Sequence, residues 1–197
     1  MLSAIQNRRS IRRFSDRPVP RELVEEVLLA GTLAPSSKNR QPWRFIVSAG
    51  EEKERLLAAM ARGLERERVS PLLPESAPYR AGAEHTLSVM RQAPVNIFVM
   101  NPLGAGLQEA PTPEQRIYEI CNAQSVGAAL ENMSLAAEAL GLGSLWICDT
   151  YFAYRELVDS LGGPGELFAA LALGWAAESP APRPRKHLDQ VVDWRTD

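Results

Sequence analysis

Four arginines, Arg8, Arg9, Arg12 and Arg13, fall within six positions around Ser10 and Ile11. Guanidinium groups this close repel one another unless an anion or solvent separates them. They bind phosphate through forked, charge-assisted hydrogen bonds, and a serine hydroxyl adds a further donor. A second constellation, Ala34-Pro35-Ser36-Ser37-Lys38-Asn39-Arg40-Gln41-Pro42-Trp43, packs two prolines, two serines, two amides and a tryptophan into one loop before a strand. Amide side chains both donate and accept, which suits a heterocycle with both kinds of edge atom. A third, Pro180-Ala181-Pro182-Arg183-Pro184-Arg185-Lys186-His187, holds arginines semi-rigidly between prolines and lowers the entropy cost of clamping an anion. Taken singly, these segments also read as a solvated basic patch, a helix-to-strand connector and a floppy basic tail.

The fourth is Gly141-Leu142-Gly143-Ser144-Leu145-Trp146-Ile147-Cys148-Asp149. Its GxG precedes a strand and lacks the strand–GxGxxG–helix order of a dinucleotide fold. The chain has no P-loop, no GxSxG elbow and no paired-carboxylate motif. Cys148 with His187 is conceivable as a thiolate pair, but the strand context favours a plain buried cysteine. Two cysteines and two histidines leave almost no ligands for a structural zinc site.

The elements that must position these residues follow from periodicity. Leu23, Val24, Val27, Leu28 and Ala30 share one face of a helix over about 21–33, and Leu56, Leu57, Met60 and Leu64 one over 51–66. Apolar runs predict strands over 45–47, 95–100, 145–148 and 167–175. Residues 114–140 form a long, small-residue-rich helix expected to be buried on most sides, stopped by Gly141 and Gly143. Arg155–Leu161 reads as a helix ended by Gly162-Gly163-Pro164. Residues 70–82 read as a Pro-rich surface excursion and 101–113 as a Pro/Gly-rich loop of a length more often functional than filler.

At 197 residues, 45% hydrophobic and 23% charged, the chain is an ordinary globular protein. We expect a single domain over 1–197 of the α+β or α/β type. A formal charge of −2 argues against a nucleic-acid partner. The longest charge-free apolar run, Leu167–Ala177, is too short to span a bilayer, and the first residues lack a signal-peptide pattern. No membrane partner and a reducing, cytoplasmic location are therefore expected.

The order and spacing of RRSIRRF, APSSKNRQPWRF, ALENMSLAAEALGLGSLWI and LALGWAAESPAPRPRKHLDQVV resemble the nitroreductase family of flavoproteins, over Ile5 to Val192. The resemblance implies an α+β fold with a central, mostly antiparallel sheet flanked by helices, in an interlocked homodimer with FMN at the subunit interface. It implies that Arg8, Arg9, Ser10 and Arg12 wrap the flavin phosphate, ribityl chain and pyrimidine edge. It implies that Pro35, Ser36, Ser37, Asn39 and Gln41 reach the ring from the other subunit, and that Trp146, Ile147 and Cys148 lie along it near N5. Arg185 returns to the phosphate, with Arg183 or Lys186 assisting. No catalytic side chain or metal is implied; Arg12 tunes the reduced flavin, and the flavin carries the hydride chemistry. The implied activity is ping-pong reduction of nitroaromatics, quinones or related acceptors by NADH or NADPH. The alternatives are a reductive dehalogenase or flavin-cleaving enzyme of the same fold, or a non-catalytic flavin store or sensor. Asp149 stands where many relatives carry glycine or another small residue.

Overall fold

Two strands are apolar at nearly every position, so both of their faces must be covered. Val95–Asn101 (β2) is buried throughout, and Glu166–Gly174 (β4) nearly so. With Arg44–Ser48 (β1) and Gly143–Ile147 (β3) they form a four-stranded sheet in the order β1-β2-β4-β3, antiparallel at every pairing. The computed structural model describes residues 2–104, 106–107 and 112–196. Within the expected 101–113 loop, positions 105 and 108–111 lie outside the described residues.

Helices cover each face of the sheet. On one side, Gly50–Val69 (α3), Arg80–Gln92 (α4) and Tyr154–Leu161 (α6) pack Leu56, Leu57, Met60, Met90 and Leu157 against Phe98 and Met100. On the other, Arg21–Thr32 (α2) and Pro113–Ala139 (α5) pack Val24, Val27, Leu130 and Met133 against Ile97, Val99 and Leu171. The alternation of β2 side chains between the two cores is the period-2 rule of a strand. Burial of these side chains stabilises the fold by roughly 1.5–3 kcal/mol each.

The structure departs from expectation in three places. Leu2–Asn7 forms a short helix (α1) that packs on α5. The 70–82 excursion ends early: a 3-10 segment over Pro74–Tyr79 runs directly into α4 at Arg80. The third concerns α5, which starts with a Thr112/Gln115 capping box and Pro113 in its first turn. Only its later part is buried. Ile117, Tyr118 and Ile120 are 60%, 44% and 45% exposed in the single chain.

The arginine segment joins the free edge of the sheet. Ser10 pairs in parallel with Ser144, and the Ile11 N–H donates to the Ser144 carbonyl at 3.0 Å. Phe14 pairs antiparallel with Ala176, and the Ala177 N–H donates to the Arg13 carbonyl at 2.8 Å. The chain leaving β4 is thereby stitched to the chain entering α2.

Candidate functional site

Pairing with β3 fixes the backbone of residues 8–12, and the segment leaving β4 closes over it. Glu178 accepts hydrogen bonds from the Arg12 and Arg13 amides, the latter at 3.2 Å. Between the two segments lies a cleft of about 390 Å³. Arg8, Arg9, Ser10 and Arg12 line one wall, and Arg183 and Arg185 the other. The first and third sequence constellations therefore form one site.

The side chains are arranged to leave charge free. The Arg9 guanidinium donates to the Gln6 and Arg8 carbonyls at 2.7 and 2.9 Å, and that of Arg12 to the Ser10 carbonyl at 3.2 Å. Among the described residues, none of Arg9, Arg12, Arg183 and Arg185 has a carboxylate partner. Arg8 lies 3.4 Å from Glu131 through Nε, yet that buried Nε makes no hydrogen bond of good geometry. An anion with several oxygens matches this donor set.

Ser36–Gln41 stands apart; no residue of that loop lines the cleft. It leans instead on the exposed half of α5. The Ser37 N–H donates to Ser125 Oγ at 3.4 Å, and Arg40 lies 4.8 Å from the centre of the Tyr118 ring. Lys38, Asn39 and Gln41 have φ of 54°, 52° and 49°. Left-handed backbone at three non-glycine positions stores on the order of 1 kcal/mol each, a pattern that clusters at binding loops. Pro35 is exposed at the mouth of this loop.

β3 is an edge strand, so its outer backbone groups face away from the sheet. Trp146 points outward and is 41% exposed, with its ring tip 3.5 Å from where a Cβ on Gly127 would stand. Ile147 points inward and is buried, so only its backbone can meet a ligand. Cys148 corrects the sequence reading: it lies just past β3, and it is exposed rather than buried. Partial desolvation of its sulfur and the neighbouring Asp149 charge raise its thiol pKa, which disfavours a thiolate. Asp149 accepts a hydrogen bond from the Thr86 hydroxyl. Lys186 and His187 are exposed; His187 lies 3.0 Å from Asp189.

Glu131 and Glu178, which orient the cleft, carry no local signal in the sequence. Each is one ordinary acidic residue more than a hundred positions from the arginines it serves.

An antiparallel sheet between helical layers, with an arginine cleft on its edge strand, defines an α+β protein with a donor set suited to an anion. Residues 5–175 match the Nitroreductase family, and the chain belongs to that family. A relative from Methanothermobacter thermautotrophicus, provisionally named NADH dehydrogenase/NAD(P)H nitroreductase, is 31% identical over 200 residues, covering 97% of this chain and 85% of its own. The 5,6-dimethylbenzimidazole synthase of Rhodospirillum rubrum is 34% identical over 180 residues, covering 88% and 80%. The crystal structure of an FMN and NADPH-dependent nitroreductase from Sphigopyxis sp. strain HMH superposes with a TM-score of 0.73 at 25% identity, covering 100% of this chain and 99% of that one. Among the described residues, no helix is long and apolar enough to cross a membrane.

Proposed function

We propose that this protein is an FMN-dependent oxidoreductase that uses NADH or NADPH to reduce small nitroaromatic or quinone acceptors. The observation that carries this reading is the cleft uniting Arg8, Arg9, Ser10 and Arg12 with Arg183 and Arg185 in a nitroreductase-family chain. The residues fit the phosphate end of FMN: among the described residues, the buried Arg8 Nε lacks a hydrogen-bond partner, and Arg9, Arg12, Arg183 and Arg185 pair with no carboxylate. When bound, FMN supplies the hydride transfer. Arg8 and Arg185 hold the phosphate, with Arg183 or Lys186 assisting. Arg9 and Ser10 fix the wall they stand on. The backbone at Trp146, Ile147 and Cys148 lies along the ring. The whole chain, 1–197, acts as one domain. Unpaired Cys121 and Cys148 fit a cytoplasmic, reducing environment.

The test is an absorbance spectrum of protein reconstituted with FMN, then anaerobic titration with NADH and with NADPH. Bound flavin that bleaches with either donor supports the reading. No bound flavin overturns it, and flavin that neither donor reduces marks a store or sensor.

A homodimer belongs to this proposal. Pro35, Ser36, Ser37, Asn39 and Gln41 lie outside the cleft of their own chain, and Ile117, Tyr118 and Ile120 form an exposed apolar row beside them. A second subunit would cover that row and bring the loop to the partner's flavin. Light scattering at micromolar concentration should show a dimer; a stable FMN-loaded monomer would refute it.

The relative at 34% identity favours one second reading. 5,6-Dimethylbenzimidazole is a dimethylated benzene ring fused through two nitrogens, a fragment of the flavin ring system. Irreversible loss of flavin absorbance in air after reduction would identify that chemistry.

Two substitutions test residue roles. Among the described residues the Arg12 guanidinium pairs with no carboxylate, so its charge should favour reduced, anionic flavin over oxidised flavin. Arg12→Ala should lower the two-electron potential of bound FMN by on the order of 30–60 mV, where ~30 mV corresponds to ~1.4 kcal/mol. Dye equilibration measures it, and Arg8→Ala at saturating FMN should shift the potential much less. Cys148→Ala should retain NAD(P)H oxidation within about tenfold, because burial and the Asp149 charge raise its thiol pKa and disfavour the thiolate. A steady-state assay with FMN still bound decides this.

A further inference from the structure

A second cavity, of about 500 Å³, lies beyond the opposite end of β3 from the arginine cleft. Two connections fix its place. The Tyr151 N–H donates to the Cys148 carbonyl at 3.1 Å, and Tyr151 lines the cavity. Ala123 and Gln124 of α5 also line it, one turn before the Gly127 that meets Trp146. The cleft meets β3 at Ser144, so the strand separates the two sites by roughly 15 Å.

The cavity holds a carboxyl group with no partner among the described residues. Glu166, the first residue of β4, is 8% exposed and lines the cavity. Among the described residues its side chain makes no hydrogen bond and no ion pair. Asn101 stands opposite it in the β2–β4 register, with its buried Nδ2 also unpartnered. Gly104 leaves Glu166 its room, since a Cβ there would lie 2.7 Å from Oε2. Among the described residues, the other groups facing Glu166 are Glu119 from α5, Tyr151, and Tyr154 from α6; Arg116 pairs with Glu119 at 3.6 Å. Burial and the Glu119 charge raise the Glu166 pKa, while burial and the Glu166 charge push both tyrosines up to about 12. Arg116, the cation that lines the cavity, pairs with Glu119 rather than with Glu166, and burial favours the neutral form of the Glu166 carboxyl. Leu107, Ile120 and Phe168 supply apolar walls around it.

We propose that this cavity receives a quinone acceptor and that Glu166 is the proton donor to its oxygen. The proposal rests on the oxidoreductase reading above. A quinone becoming a hydroquinone gains two electrons and two protons. A hydride originating from NAD(P)H brings both electrons and one proton. The second proton comes from Glu166: its O–H bond breaks, an O–H bond forms on the quinone oxygen, and Glu166 is left as a carboxylate. Solvent entering the cavity returns a proton to Glu166. A buried acid with a raised pKa is suited to this work.

The experiment reoxidises the NADH- or NADPH-reduced holoenzyme in a stopped-flow instrument, with menadione or with ferricyanide. Ferricyanide takes electrons and needs no proton. Glu166→Gln should slow reoxidation by menadione about 100-fold and leave ferricyanide within about twofold. The wild-type menadione rate should fall as pH rises through the Glu166 ionisation, above the ordinary carboxylate range, and Glu166→Gln should lack that limb. Glu119→Gln should move the limb to lower pH. Infrared titration of the flavin-free protein should show a protonated carboxyl band that persists above the ordinary carboxylate range and is missing in Glu166→Gln. An unchanged menadione rate, equal slowing with both acceptors, or absence of that band overturns the proposal. If neither donor reduces the wild-type protein, the oxidoreductase reading fails and takes the proposal with it.

Discussion

Arg8→Ala combined with Arg185→Ala should weaken FMN binding about a thousandfold. The two residues approach the cleft from opposite walls, one on the segment paired with β3 and the other on the chain leaving β4. A hydrogen bond to a charged group contributes roughly 1.5–3 kcal/mol, so each single change should cost about 10- to 100-fold. Arg8 should have the larger effect. It is partly buried, and its loss leaves Glu131 facing the phosphate with nothing to neutralise it. Equilibrium dialysis with FMN and with riboflavin tests the assignment. Riboflavin lacks the phosphate, so its affinity should change only a few-fold in either variant. Parallel losses for both ligands would mean that the arginines hold some other part of the cofactor.

Gly165→Ala should destabilise the fold by about 3–5 kcal/mol. Gly165 has φ +106°, and a Cβ there would stand 2.1 Å from the Asn101 carbonyl oxygen and 2.6 Å from the Pro102 Cα. Both are backbone atoms at the end of β2, so neither can swing aside. Backbone strain of roughly 1–3 kcal/mol adds to overpacking of roughly 1–3 kcal/mol. For a chain of this size each kcal/mol lowers Tm by about 2–4 °C, so calorimetry should record a drop of roughly 6–20 °C. Gly162→Ala is the control. Gly162 also has positive φ, at +65°, but no atom lies within 4 Å of its added Cβ, so the cost should be near 1 kcal/mol.

Elements with a clean period were readable from the residues. The α2 stripe of Val24 and Val27 and the unbroken apolar runs of β2 and β4 could satisfy only one geometry each. Helix α4 was hidden although Ala83, Leu87 and Met90 repeat at helical spacing, because Pro71, Pro74 and Pro78 precede it and mark the region as loop. The exposed half of α5 is apolar in composition, and composition does not say whether its cover is the same chain or another. At the cleft, the arginines announce themselves by crowding like charges. Glu131 and Glu178 do not, since their roles arise only when the sheet brings distant segments together. Glu166 had a faint signal, a single carboxylate heading a strand of apolar residues, but its meaning depends on the cavity beside it.

The hydrogen bond from Arg12 to Glu178 closes a loop of 166 residues. Each wall of the cleft is therefore useless until β3 and β4 have paired and the arginine segment has joined them. Such long-range closure is entropically costly and late in folding. A half-folded chain displays isolated arginines but no pocket, so it cannot sequester cofactor in a misfolded state. On the proposed function, capture of FMN would work as a completion signal. The ligand would reinforce only chains in which β3, β4 and the arginine segment have joined, so flavin retention would report long-range assembly rather than one local site.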